Sequence, residues 1–237
     1  PTVAMVAARE EEIRNFKPKT YYGIEAKSDA LTLTWQDKDG NSRSFNKEKM
    51  DAILQSLGKQ NAEVVAIDRK AKKTYSPALY DLTELQRDAN KLFGYSAKET
   101  LNIMQKLYEQ HKVLTYPRTD SRYLSSDIVS TIPERLKAIG GAEYSKLANR
   151  IANKPIKATK AFVDDSKVSD HHAIIPTEGY VNYAAFNDKE RKIYDLVVKR
   201  FLAVLYPAHE FEQLTVHAKI GSESFIARGK TVIKDGW

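Results

Sequence analysis

Residues 83–116 read TELQRDANKLFGYSAKETLNIMQKLYEQHKVLTY, and their punctuation organises the whole chain. Thr83 with Gln86, and Ser96 with Glu99, each match a capping box, in which a side-chain oxygen and an amide or carboxylate satisfy the free amides of a helix start. The first predicted helix runs to Phe93 and stops at Gly94, where a residue without a Cβ can close the last turn. The second carries Ile103, Leu107 and Tyr108 on one side and gives out near His111, before an extended Val113–Tyr116.

Helix, tight turn, helix, strand is the outline of a winged-helix unit, and on spacing alone it is equally that of an αα-hairpin. Upstream, Thr2–Phe16 sets apolar residues at near-helical intervals until Lys17-Pro18 stops the pattern. It reads as a helical stub, residues 1–20, cut from a larger neighbour. From Tyr21 the period falls to two. Leu31, Leu33 and Trp35 alternate with Thr32 and Thr34, Asp39-Gly40 supplies a turn, and Phe45 is expected to resume on a return strand. A short helix, Asn46–Leu57, leads to an extended Glu63–Ile67 and then to the basic run Arg69–Lys73.

Downstream, a strong helix is expected from Asn187 to Leu205, ended by Pro207. Alternation returns at Leu214, Val216, Ala218 and Ile220, turns at Gly221-Ser222, and comes back through Phe225 and Ala227. Strands, helices, strands is economically an α+β chain. The expected partition is a β-rich domain from residues 21–75 and 206–237, an inserted helical, winged-helix-like domain over 76–180, and a helix over 181–205 returning to the β domain.

Composition narrows the chemistry. The 237 residues are 42% hydrophobic and contain no apolar run approaching the roughly 18 residues of a membrane-spanning helix. No charged-then-apolar leader opens the sequence. The absence of Cys excludes disulfides, thiolate metal sites and cysteine nucleophiles, and fits a reducing compartment. A net charge of +7 points to polyanionic partners. It equally describes an ordinary solvated face. Placement favours the former: Lys146, Arg150, Lys154, Lys157 and Lys160 follow one another without an intervening acid, which suggests a basic loop able to track a phosphate backbone.

Tyr116 precedes Pro117, whose ring disfavours a helical conformation for its predecessor, so Tyr116 should be extended. In an extended segment Tyr116, Arg118 and Asp120 share one side. A phenol with a pKa of about 10 is a weak nucleophile at neutral pH, and an adjacent guanidinium favours phenolate and stabilises charge on a phosphate under attack. Against this, an arbitrary member of the 13 tyrosines is a packing residue. His171 and His172 are adjacent and point apart, and without other clustered ligands no metal site is expected.

The segment Leu114-Thr115-Tyr116-Pro117-Arg118-Thr119-Asp120-Ser121-Arg122-Tyr123-Leu124 resembles the active-site tyrosine segment of type IA DNA topoisomerases, and its Tyr-Pro-Arg form is similar to the topoisomerase III branch. Leu85-Gln86-Arg87-Asp88-Ala89-Asn90-Lys91-Leu92-Phe93-Gly94 resembles the helix that precedes that tyrosine. Asp170-His171-His172-Ala173-Ile174-Ile175-Pro176-Thr177 resembles the family's histidine segment. Pro1 to Ile13 and Phe225 to Trp237 fit as well, so the resemblance covers nearly the whole chain in the family's order.

The resemblance implies that Tyr116 forms a 5′-phosphotyrosine link to a cleaved single strand, that Arg118 holds the scissile phosphate, and that His171 supports cleavage. The role of His172 stays open. The basic residues 146–160 would contact single-stranded DNA nonspecifically, and Tyr123 would either stack on a base or pack. The family's Mg²⁺ belongs to an N-terminal Toprim domain that nothing here resembles, so no cofactor is expected in this chain itself. A cytoplasmic, nucleoid-associated setting follows from the same resemblance. The competing readings are a noncatalytic winged-helix DNA-binding module, and another tyrosine transesterase such as a recombinase or relaxase, whose Arg/His or His-cluster spacings are not found.

Overall fold

The computed structural model describes residues 1–28, 31–139 and 143–237. They divide into two compact units, Pro1–Lys72 with Phe211–Ile233, and Lys73–Glu210 with Lys234–Trp237. The mixed α and β content expected from the sequence is present.

The first unit opens with α1 (Thr2–Asn15), none of whose residues is buried. Its sheet contains β1 (Glu25–Lys27), β2 (Thr32–Gln36), β3 (Glu63–Thr74), β4 (His209–Ile220) and β5 (Glu223–Lys234) in the order β1-β2-β5-β4-β3. The last three strands cross the boundary between the units. β2 alternates as its sequence dictates: Leu33 and Trp35 are buried while Thr32 and Thr34 face away. It pairs antiparallel with β5 through Thr34↔Ile226 and Trp35↔Phe225, which joins the two ends of the chain in one sheet. The indole of Trp35 donates to Glu223 Oε2 at 2.7 Å, so this large ring is buried with its polar atom satisfied. α2 (Lys47–Leu57), capped by the Asn46 side chain, contributes Met50 and Leu57 to the same core. Each such apolar side chain contributes roughly 1.5–3 kcal/mol on burial.

Two expectations are corrected here. The turn at Asp37–Asn41 forms, but the return through Phe45 is no second strand of a hairpin. Ser44 makes a single antiparallel bridge to Tyr22, Phe45 stays exposed, and β2 pairs back onto β1. With Asn46 already committed as a helix cap, no length remains for a strand. The extended run Glu63–Ile67 also does not stop before the basic residues; β3 continues through them to Thr74, exposed along its length.

The second unit is helical: α3 (Leu82–Phe93), α4 (Ala97–Glu109), α5 (Ile132–Ile139), α6 (Ser145–Ala152) and α7 (Asp188–Leu205). Gly94 ends α3 in the left-handed region at φ 72°, its N–H and that of Tyr95 returning to the carbonyls of Asn90 and Ala89. The start of α3 differs from expectation. Asp81, not Thr83, is its cap and accepts from Glu84 N at 2.7 Å, while Gln86 donates across to Ala97 O. Ser96 does cap α4, but the Glu99 carboxylate pairs with Lys189. α7 begins with a complete capping box between Asn187 and Glu190.

α7, expected as a connector outside the helical domain, packs within this unit. Ile193, Val197 and Phe201 meet Leu85 of α3 and Met104 and Leu107 of α4 in one buried cluster. Residues 145–152, expected as part of a basic loop, form α6, because Ala148 and Ile151 are buried against the same core. Among the described residues no β-hairpin follows α4 to serve as a wing.

Candidate active site

The chain leaves α4 through Lys112, whose φ of 55° reverses its direction. Gln110 and His111 both return their amides to Lys106 O, and Val113 and Leu114 then enter the core. From here the tyrosine segment runs antiparallel to the histidine segment. Thr177 N donates to Val113 O and Thr115 N to Ile175 O, both at 3.0 Å, around the bridge Leu114↔Pro176. The Thr115 hydroxyl accepts from Ile175 N at 2.9 Å.

A third non-helical piece, residues 78–81, together with the first residue of α3, ties both together. Tyr80 O accepts from Ile174 N, Thr119 O accepts from Leu82 N, and Leu79 O accepts from Arg122 Nε. That piece is held in turn by a network the sequence reading did not assign. The Tyr80 hydroxyl donates to Asp88 Oδ2 at 2.6 Å, while Arg200 reaches Asp88 Oδ2 at 2.8 Å, the Tyr80 hydroxyl at 2.9 Å and Ala78 O at 3.0 Å. Burial, reinforced by the Asp88 carboxylate, pushes the Tyr80 phenol well above the ordinary tyrosine range. This phenol therefore stays protonated.

The expected alternation holds past Tyr116. Pro117, Thr119 and Ser121 are buried, whereas Tyr116 is half-buried and Arg118 and Asp120 are exposed. Thr119 anchors the inward side by donating to His171 O at 2.9 Å, and Ser121 does so by donating to Lys167 O at 2.7 Å.

The Tyr116 ring lies over the His171 ring with centroids 4.3 Å apart and planes 35° from parallel, and meets Tyr108 edge-on at 5.6 Å. It borders a cleft of about 470 Å³ lined also by Ser125, Asp127, Asp165, Asp170, His171 and His172. Its hydroxyl makes no hydrogen bond with a described residue. His172 turns Nδ1 to Ala173 O at 2.7 Å. A carbonyl can only accept, so Nδ1 carries the proton and Nε2 is the acceptor of the neutral ring. Burial lowers the His172 pKa, which favours that neutral form. Arg135, buried beneath, donates to Pro176 O at 2.7 Å and to Thr131 Oγ1, and pairs with Glu178. It thereby fixes the far end of the histidine segment.

The structure thus brings Tyr116 and His171 together. It points Arg118 outward without a contact to Tyr116, and the guanidinium makes no ion pair or hydrogen bond with a described residue. The cleft wall is acidic. Asp127, held below the usual carboxylate range first by the Ser125 hydroxyl, and Asp165, which accepts from Ser126 N at 2.7 Å, both stand on it. A phosphate entering here meets carboxylates, so cations from its rim must offset them. Among the described residues no group of three or more His, Asp or Glu is arranged to hold a metal ion; these side chains do not fit a Mg²⁺ centre.

Tyr123 is half-buried, with Lys167 Nζ 4.3 Å from its ring centroid and 3.2 Å from its hydroxyl. Lys146 and Arg150 on α6, and Lys154, Lys157 and Lys160 after it, are all exposed; none pairs with a described carboxylate and none lines the cleft.

The family model described as DNA topoisomerase matches residues 1–237. The chain therefore belongs to the DNA topoisomerase family. Its relatives lie in the topoisomerase III branch of type IA: it is 74% identical over 238 aligned positions to DNA topoisomerase 3 of Bacillus cereus (strain ATCC 14579), and 55% identical to that of Bacillus subtilis (strain 168). In both cases the match covers all of this chain but 33% of the relative, so the chain spans about a third of the length of these proteins. The fold is similar to that of full-length topoisomerase I from Thermotoga maritima, with a TM-score of 0.66 at 24% identity over 98% of this chain and 37% of that one. No helix among the described residues is long and apolar enough to cross a membrane.

Proposed function

We propose that this chain is the strand-cleaving and gate portion of a type IA DNA topoisomerase. The observation that carries the reading is a phenol on an extended segment, open to a cleft and stacked on His171, in a chain of this family. The Tyr116 oxygen attacks the phosphorus of a single-stranded DNA phosphodiester. The bond to the 3′ oxygen breaks, the phenolic proton is lost, and the leaving oxygen gains a proton to become a free 3′-hydroxyl. The 5′-phosphotyrosine ester preserves the phosphodiester's energy, so the 3′-hydroxyl can reseal the strand without ATP.

Arg118, two residues along the segment and on the same side as Tyr116, supplies charge to the crowded phosphate. His171 holds the phenol's orientation through ring contact. The Lys and Arg side chains of residues 146–160 make nonspecific backbone contacts.

Mg²⁺ would be held by a Toprim domain elsewhere in the longer enzyme, and the β-rich domain would form an arch. The chain alone binds DNA weakly and does not relax supercoils. The expected setting is the cytoplasm, on the nucleoid. The rival reading is a noncatalytic winged-helix module, in which α3, Gly94 and α4 would read duplex DNA and Tyr116 would only pack.

The test supplies the remaining part of a topoisomerase III relative in trans, with single-stranded DNA and Mg²⁺. A covalent protein–DNA adduct that Tyr116→Phe abolishes is expected. An adduct that persists in Tyr116→Phe, or a preference for duplex with no adduct at all, overturns the proposal.

A further inference from the structure

The two faces of the long strands treat their cations differently. Successive side chains of a strand point to opposite faces. On the face shared with α2, where Val216, Ala218 and Phe225 are buried, the cations of β3 are neutralised: Arg69 pairs with Glu212 at 3.0 Å and Lys73 with Glu210 at 3.2 Å.

The opposite face carries Lys70 and Lys72 on β3, and Arg228 and Lys230 on β5. All four are exposed, and none pairs with a described carboxylate. The assignment of this face is fixed by contacts across it: Asp68 of β3 meets His217 of β4 at 3.2 Å, and Lys230 Nζ stands 4.3 Å over the Phe211 ring of β4. The acids here are few. Asp68 is engaged by His217, and Glu25 on β1 lies 3.9 Å from Lys27.

We infer that this open face of the sheet is a second nucleic-acid contact surface, separate from the Tyr116 cleft, that takes the phosphate backbone of a strand. Within each row the cations are two residues apart, about 6.7 Å, and the two rows flank β4 at about two strand spacings, or ~10 Å. Two parallel cationic rows with a half-buried polar and aromatic row between them form a track for a linear polyanion rather than a pocket for a small one. The ring of Phe211 holds the Lys230 ammonium over the sheet and limits its freedom. The choice of nucleic acid as the polyanion rests on the function proposed above; the charge segregation does not.

The experiment measures binding of the 237-residue chain to labelled oligodeoxythymidine across a salt series. The variant K70Q/K72Q/R228Q/K230Q is expected to lower the slope of log affinity against log salt by about 3, at about 0.7 per phosphate neutralised on a single strand, and to weaken low-salt binding by about tenfold or more. R69Q/K73Q, on the α2 side, should leave the slope unchanged. Equal slopes for parent and quadruple variant, or an equal loss in R69Q/K73Q, overturns the assignment. Circular dichroism verifies folding, and K70Q/K72Q alone, expected to remove about 1.4 of the slope, serves if the quadruple variant does not fold. A failed adduct assay beside an intact surface effect defeats the cleavage reading alone.

Discussion

The rings of Tyr116 and His171 stack at 4.3 Å, held there by a hydrogen bond from the Thr119 hydroxyl to the His171 carbonyl. The nucleophile proposed and its neighbour are thus positioned by a residue on the buried side of the same segment. His171→Ala is expected to slow adduct formation in the trans assay about a hundredfold, measured as the single-turnover rate. Thr119→Val, which keeps the shape but removes the donor, should slow it less. Rates unchanged in both would remove His171 from the site.

The Tyr80, Asp88 and Arg200 network predicts unequal costs. Asp88→Ala leaves the Arg200 side chain, 15% exposed, without its carboxylate, and should cost about 3 kcal/mol. Tyr80→Phe leaves the ion pair in place and should cost about 1 kcal/mol. Urea unfolding measures both, and equal effects would contradict this ranking.

Acid should act through His172. Its folded pKa lies below the ordinary value of about 6.5, so below that pH the unfolded chain binds a proton that the folded chain resists. Stability should therefore fall as the pH drops below about 6.5 and through the lowered folded value. His172→Gln should flatten that part of the profile. The carboxylates held low, such as Asp127 and Asp164, act in a separate window: their contribution is present above about pH 4 and is lost below it.

Gly94 offers a purely conformational test. A Cβ there would meet nothing within 4 Å, yet φ is 72°. Gly94→Ala should lower stability by about 1 kcal/mol through backbone strain alone, whereas Gly94→Asn, better tolerated in that region, should cost less. Thermal unfolding distinguishes them.

Much of this architecture was legible because it follows from local rules. The alternation of Leu33 and Trp35, the apolar stripe of α7, the stop at Gly94 and the extended Tyr116-Pro117 each depend on residues a few positions apart. What escaped depends on distant partners or on short signals. α6 is only two turns long, and its few apolar marks lie inside a basic run. Asp81 and Thr83 are both acceptable caps, and residue type alone does not choose between them. The Arg200–Asp88 bond spans 112 positions, and Arg135 reaches Pro176 across 41; no periodicity reports such pairs. Nor does the pairing of β2 with β5 follow from either strand alone, since both alternate equally well for several neighbours.

The strand order β1-β2-β5-β4-β3 also constrains how the molecule comes into being. The hairpin of β4 and β5 occupies the middle of the sheet, between β2 and β3, which lie far earlier in the sequence. Until that hairpin docks, β2 and β3 carry unsatisfied edges. The sheet therefore closes only through partners distant along the chain, which makes its completion an intrinsically slow step of folding.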